Sequence, residues 1–187
     1  MGRLVYTVIA SLDGYVADAD GGFDWAMPPL DVHAAANAQQ REIGTMLLGR
    51  RMYDVLVAWE HMPVDGAPEV IREYAELWRA TDKVVYSATL DRATSARTRV
   101  VRAFDPEAVR ELLQASAVDV SVGGPTLAAH ALRAGLVDEI GLFLSPVIVG
   151  GGTPALPAGI RLDLELVDER RYSGGVVYLA YRPRRGG

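Results

Sequence analysis

The feature that most constrains this chain lies at residues 118–136, VDVSVGGPTLAAHALRAGL. Val118, Val120 and Val122 alternate with polar Asp119 and Ser121, the period of a half-buried strand. The alternation stops at Gly123-Gly124, where backbone without side chains lets a ligand come close. Pro125 suits a first helical position, because the N–H it lacks would be unpaired there in any case. Leu127, Ala128, Ala131, Leu132 and Leu136 follow at helical spacing, and Gly135 marks a C-terminal stop. Strand, glycine pair and helix start together form an anion cradle, since bare N–H groups and the positive end of the helix dipole both favour negative charge. The same turn is common in α/β proteins, so it assigns a ligand only in company.

A length of 187 residues predicts one domain, residues 1–183, with a short solvated tail at 184–187. The net charge of −5 argues against nucleic-acid and anionic-membrane partners without excluding a local basic pocket. The absence of cysteine removes disulfides, thiolate chemistry and Cys-built metal sites. His33, His61 and His130 lack metal-binding spacing, so no metal is predicted. No apolar run is long enough to span a membrane, and the N-terminus has the pattern of a strand rather than a signal peptide. The expectation is a soluble, cytoplasmic protein.

Taken in order, residues 3–11 are β-branched and apolar, as in a central strand covered on both faces. Asp13-Gly14 gives a turn before Tyr15, Val16 and Ala17. Residues 18–29 have the glycine and proline of a loop yet carry Phe23, Trp25 and Met27. Two accounts stand for these aromatics: a satellite cluster packed onto the core, or a loop folded over a pocket to stack on a planar ligand. Asp31 starts a helix, as N-cap or first-turn acid, predicted to run to about Gly44. A buried strand at 45–49 leads to a helix opening with Gly49, Arg50 and Arg51, whose two positive charges oppose the dipole and call for an offsetting anion or solvent. Residues 69–80 show an amphipathic helical stripe. Strands are predicted at 83–89 and 95–101, and a helix from Asp105-Pro106. After the opening stretch comes a long strand at 137–149, bent at Pro146, and a bare turn at Gly150-Gly151-Gly152. Strands at 163–171 and 176–182 are joined by Ser173-Gly174-Gly175 in a hairpin.

Alternating strands and helices followed by paired strands predict an α/β fold, a mostly parallel sheet closed by antiparallel C-terminal strands. Ligands of such sheets sit outside the strand C-termini, and the marked residues Asp13-Gly14, Gly49-Arg50, Ser87–Thr89 and Gly123-Gly124 all fall there.

With those positions fixed, the chain resembles the dihydrofolate-reductase-like superfamily, and within it the branch holding the reductase domain of the bacterial riboflavin-biosynthesis deaminase/reductase. The resemblance rests on SLDGYVA, LLGRRMYD, VVYSATL, SVGGPTLAAHALRAGLVDEI and LSPVIVGGG followed by PALP, in the family's order over nearly the whole chain. It implies a three-layer dihydrofolate-reductase-like fold, NADPH as cofactor and a homodimer. Because the chain opens on its first strand, a stand-alone reductase domain with no deaminase before it is expected.

The resemblance also implies roles. Gly49 and Arg50, with Arg51 as helper, match the helix start that meets the cofactor's phosphates, and a guanidinium fork suits a 2′-phosphate. Ser87 and Thr89 match strand-end hydroxyls near the adenosine. Gly123, Gly124, Thr126 and Leu127 match the turn against pyrophosphate and ribose, and Ile9, Ala10 and Val16 flank the nicotinamide. The chain departs from the pattern at Met52, where dihydrofolate reductase has Thr, and shows no basic set for a phosphoribityl substrate.

These readings predict hydride transfer from NADPH to a small planar C=N or C=O acceptor, pterin- or pyrimidine-like. Asp13 and Asp31 are the candidate catalytic carboxylates; the alternatives are a turn residue for Asp13 and an N-cap for Asp31. Trp25 and Tyr53 are candidate substrate-lining rings, with core packing as the alternative for each. Leu142, Leu144 and Val147 could supply a dimer patch. A nucleotide-binding or regulatory protein of the same fold without turnover is the rival.

Overall fold

The parallel strands of this chain are apolar runs that need cover on both faces, and the helices between them provide it. The computed structural model describes residues 1–184; the rest of the predicted tail, 185–187, lies outside the described residues. The elements are β1 (Leu4–Ser11), β2 (Tyr15–Ala17), α1 (Leu30–Gln40), β3 (Ile43–Gly49), α2 (Arg50–Leu56), α3 (Glu69–Ala80), β4 (Asp82–Tyr86), β5 (Thr98–Val101), α4 (Pro106–Ala115), β6 (Asp119–Gly123), α5 (Pro125–Arg133), β7 (Glu139–Ser145), β8 (Thr153–Pro154), β9 (Leu164–Arg171) and β10 (Val177–Pro183). The main sheet has the order β5-β4-β3-β6-β1-β7-β10-β9, and β2 pairs with β8 in a separate ribbon. Pairings from β5 through β7 are parallel, while β10 runs antiparallel to β7 and β9. The predicted mostly parallel sheet with antiparallel C-terminal strands is therefore present.

One core packs Leu4, Tyr6, Leu47, Val120 and Val122 against α4 and α5 through Val109, Leu113, Leu127, Ala128, Ala131 and Leu132. On the other face, Met46, Leu48 and Val85 pack with Tyr53 and Trp78. Burial of these aliphatic side chains, worth about 1.5–3 kcal/mol each, fixes the layer order. α5 ends as its glycine foretold. Gly135 has φ 65°, its N–H bonds Leu132 O, and Leu136 N–H bonds Ala131 O, which is the Schellman closure. Lys83, 1% exposed, donates from Nζ to Trp78 O and Thr81 O at 2.7 and 2.8 Å, so its charge closes the negative end of α3.

Several boundaries differ from the sequence expectation. α1 stops at Gln40, and Ile43 already pairs with Asp119 of β6, because the apolar run of β3 is claimed by the sheet. β4 ends at Tyr86 rather than Thr89: Ser87 Oγ accepts the N–H of Leu90 at 3.0 Å and of Thr89 at 3.3 Å, turning the chain. β5 begins only at Thr98. β7 stops at Ser145, since Pro146 has no N–H for the ladder and Val147 N–H folds back to Ser145 O at 2.8 Å. Of the two places expected for Asp31 it takes the first turn of α1, with Pro29 as the N-cap residue. Leu142, Leu144 and Val147 are half-buried, and Leu142 packs on the main core. Arg184 is exposed, with its N–H held by Asp163 O.

Candidate functional site

The marked residues converge on the C-terminal edge of the sheet, where two parallel neighbours separate. Among the described residues, β1 and β6 are in register only at Leu4–Val120 and Val5–Ser121. β1 nevertheless stays on β7 from Val5–Glu139 to Ser11–Ser145, and β6 stays on β3 as far as Leu48–Gly123. The pairing of β1 with β6 thus ends at Val5, and the strands separate toward the edge where α/β sheets bind ligands. Ile9 and Ala10 belong to the part of β1 beyond the separation, and Val16 lies on β2, half-buried.

Two helix starts meet at this edge of the sheet. Gly49 and Gly124 are the N-cap residues of α2 and α5, and neither helix has a side-chain cap. A Cβ on Gly124 would stand 3.3 Å from Met52 Cβ and 3.9 Å from Gly49 N, and one on Gly123 only 2.8 Å from Leu48 Cδ2. Gly124 also has φ 93°, which L side chains resist. Glycine is therefore required for the two starts to abut, and their uncapped N–H groups and dipoles give a local preference for an anion in an acidic protein. Thr126 is exposed in the first turn of α5, whereas the Leu127 side chain is buried in the core, leaving its backbone toward the turn.

Arg50 is half-buried, its side chain 41% exposed, and it donates from Nε to both oxygens of Asp54 at 2.9 and 2.8 Å. Asp54 is the offset to the positive helix start, and its hydrogen bond raises the Arg50 pKa. Arg51 and Thr89 are exposed, while Ser87 is buried as the pivot of the turn after β4.

Both candidate carboxylates are committed to loop geometry. Asp13 accepts Val149 N–H at 3.1 Å and Gly150 N–H at 2.8 Å; the Ser11 hydroxyl first, then these amides, hold its carboxyl below the usual range. Asp31 accepts Ser173 N–H and Ser173 Oγ–H, each at 2.7 Å, and these bonds lower its pKa as well. An ionised carboxylate with depressed pKa accepts hydrogen bonds and has no proton to give at neutral pH.

The two candidate rings separate. Tyr53 is 2% exposed; its hydroxyl oxygen accepts Thr94 N–H at 2.9 Å and Ser95 N–H at 3.2 Å, so it ties a loop to the core, the packing alternative. Trp25 does line space: a pocket of about 240 Å³ lies among Trp25, Met27, Pro29, Ser145, Val147 and Val176. Phe23 and Met27 are 47% and 79% exposed, which rules out the packed satellite cluster. Sequence reasoning missed Ser145 and Ser173. Ser173 stands 142 residues from Asp31, and no local pattern links them. Among the described residues, no group of three or more His, Cys, Asp or Glu comes together to hold a metal, and no helix is long and apolar enough to cross a membrane.

Residues 3–178 match the RibD C-terminal domain. The chain belongs to this family. It is 28% identical over 182 residues to the uncharacterized protein YyaP of Bacillus subtilis, covering 96% of this chain and 94% of YyaP. Among solved structures, a candidate riboflavin biosynthesis protein from Shewanella sp. PV-4 superposes with TM-score 0.78 at 18% identity, covering 98% of this chain and 99% of that one. Dihydrofolate reductase from Enterococcus faecalis, solved with NADP(H), superposes with TM-score 0.65 at 14% identity over 98% of each chain. The fold of this RibD C-terminal domain is thus dihydrofolate-reductase-like.

Proposed function

We propose that this RibD C-terminal domain is an NADPH-dependent reductase that delivers hydride to a small planar C=N or C=O acceptor, pterin- or pyrimidine-like. The observation that carries the reading is the meeting of two uncapped helix starts, Gly49 and Gly124, beside the separation of β1 from β6. A pyrophosphate fits this cradle, because close backbone approach and unpaired N–H donors are what an anion of that kind requires. Gly49, Gly123, Gly124, Thr126 and the Leu127 backbone hold it there, with Arg50 released from Asp54 and Arg51 beside it for a 2′-phosphate. Ser87 and Thr89 lie toward the adenosine end, and Ile9, Ala10 and Val16 flank the nicotinamide. Bound in this way, the nicotinamide supplies the hydride.

Asp13 and Asp31 shape the loops around the acceptor as ionised hydrogen-bond acceptors, and the proton of the reduction comes from solvent. That commitment of both carboxylates favours one second reading, a nucleotide-binding or regulatory protein without turnover. Titrating the protein with NADPH and with NADH, then following cofactor absorbance in the presence of pterin and pyrimidine acceptors, separates them. Oxidation of NADPH supports the reductase, and tight binding with no oxidation supports the second reading. The domain is also proposed to pair with a second copy through the edge strand β9, where Leu166 and Val167 are exposed; light scattering checks it.

A further inference from the structure

A second cavity lies at the opposite end of the parallel strands from the two helix starts. Thr45, Asp82, Val84, Arg97, Arg99 and Leu112 line a pocket of about 390 Å³, within the roughly 300–1,000 Å³ typical of small-molecule sites. The path of α4 creates it. That helix follows the edge strand β5 and leads to β6. Near its end, Leu113 O accepts Gly2 N–H at 3.0 Å just before β1, and β1 is four strands in from the edge. In moving inward the helix leaves the starts of β3, β4 and β5 open on that face, with Leu112 as one wall.

Strand pairing puts these residues on one face. Thr45 stands opposite Asp82, Leu47 opposite Val84, and Val84 opposite Arg99. Leu47 and Val84 belong to the core beneath α4, so the two-residue period sends Thr45, Asp82 and Arg99 to that same side. Their charges do not cancel. Arg97 pairs with Asp82 at 2.9 Å, and the fold holds it there at φ 54°, a strain of about 1–2 kcal/mol. Lys83 Nζ is spent on the carbonyls that close α3. Arg99 is exposed and, among the described residues, makes no hydrogen bond or ion pair; the half-buried Thr45 hydroxyl makes none either. One surplus positive charge therefore stands beside the apolar side chains of Val84 and Leu112.

We infer that this pocket binds a small monocarboxylate with a flat apolar body: its carboxylate on the Arg99 guanidinium, its body on Val84 and Leu112, a polar atom at its far end on the Thr45 hydroxyl. A carboxylate matches the guanidinium fork. One uncompensated cation suits a single negative charge, whereas a phosphate dianion would also face Asp82 across the pocket. The site is separate from the proposed cofactor cradle, since Thr45 and Gly49 are four residues apart on β3, about 13 Å along the strand. It goes beyond the reductase reading and does not depend on it.

The test titrates the full chain, nitrogen-15 labelled and at low salt, with para-hydroxybenzoate and follows the backbone amides by NMR. Para-hydroxybenzamide keeps the shape and loses the charge; inorganic phosphate keeps charge and loses the apolar body. Amides at Thr45, Arg99 and Leu112 are expected to shift with the acid and with neither control. Arg99→Gln is expected to weaken binding about tenfold. Asp82→Asn frees Arg97 and is expected to tighten it about threefold, a gain that a damaged fold cannot give. Silent amides at these positions, an equal response to the benzamide, or weaker binding by Asp82→Asn overturns the inference. Shifts at Gly49 and Gly124 that NADPH abolishes would also overturn it, by placing the acid in the cofactor cradle. A protein that binds the acid at Arg99 and oxidises no NADPH would keep this site and lose the reductase reading.

Discussion

Asp31 and Ser173 are joined by two hydrogen bonds of 2.7 Å, one from the Ser173 amide and one from its hydroxyl. The pair ties the start of α1 to the β9–β10 hairpin, and the bonds favour the ionised carboxylate, which lowers its pKa. A group whose folded pKa is depressed contributes in full above the ordinary carboxylate range and loses its contribution as pH falls through the folded value. Amide exchange at Ser173 is therefore expected to be slow at neutral pH and to lose protection in acid below that range. Asp31→Ala should abolish the protection at every pH while leaving the Gly150 amide, held by Asp13, protected. Equal loss at both sites would show that the loops open together.

Arg50 is proposed to bear on cofactor choice. Its partner Asp54 is exposed and four residues along the same helix, a class of pair that contributes little. A phosphate dianion therefore displaces it readily. Arg50→Ala is expected to weaken NADPH binding about tenfold and leave NADH binding nearly unchanged, as measured by fluorescence titration. A parallel loss for both cofactors would place Arg50 away from the 2′-phosphate.

Gly152 is fixed by close approach. Its φ is 127° and a Cβ there would lie 2.1 Å from Ala17 O. Gly152→Ala should destabilise by more than about 1 kcal/mol and disrupt the β2–β8 pair. Gly150 has φ 77° with no atom within 4 Å of its Cβ position, so Gly150→Ala should cost only the left-handed strain, about 1 kcal/mol. Chemical denaturation of the two variants compares them.

Tyr53 serves the core. Tyr53→Phe leaves the amides of Thr94 and Ser95 without their acceptor and should cost about 1–3 kcal/mol of stability. Cofactor titration of the variant should match the wild type; a change there would return Tyr53 to the site.

Much of the fold was legible because its signals are local. Alternating valines, Gly123-Gly124, Pro125 and Gly135 prescribe a strand, a turn, a helix start and a helix stop through steric rules that act within a few residues. The same holds for Gly49, and for the hairpin at 173–175. Boundaries failed where the sheet overrode local preference, as when β3 claimed Ile43, or where one atom mattered, as when the missing N–H of Pro146 ended β7.

The sequence by itself determined the order of strands and helices and the glycine positions at the strand ends, since periodicity and backbone sterics are properties of neighbours. Only the tertiary structure decided that Asp13 and Asp31 clamp loops, that Tyr53 is spent in the core, that β1 and β6 separate after Val5, and that the Trp25 N–H is buried without a partner. Each of these depends on groups far apart in the chain, and such contacts exist only once burial of the apolar faces has stacked the layers.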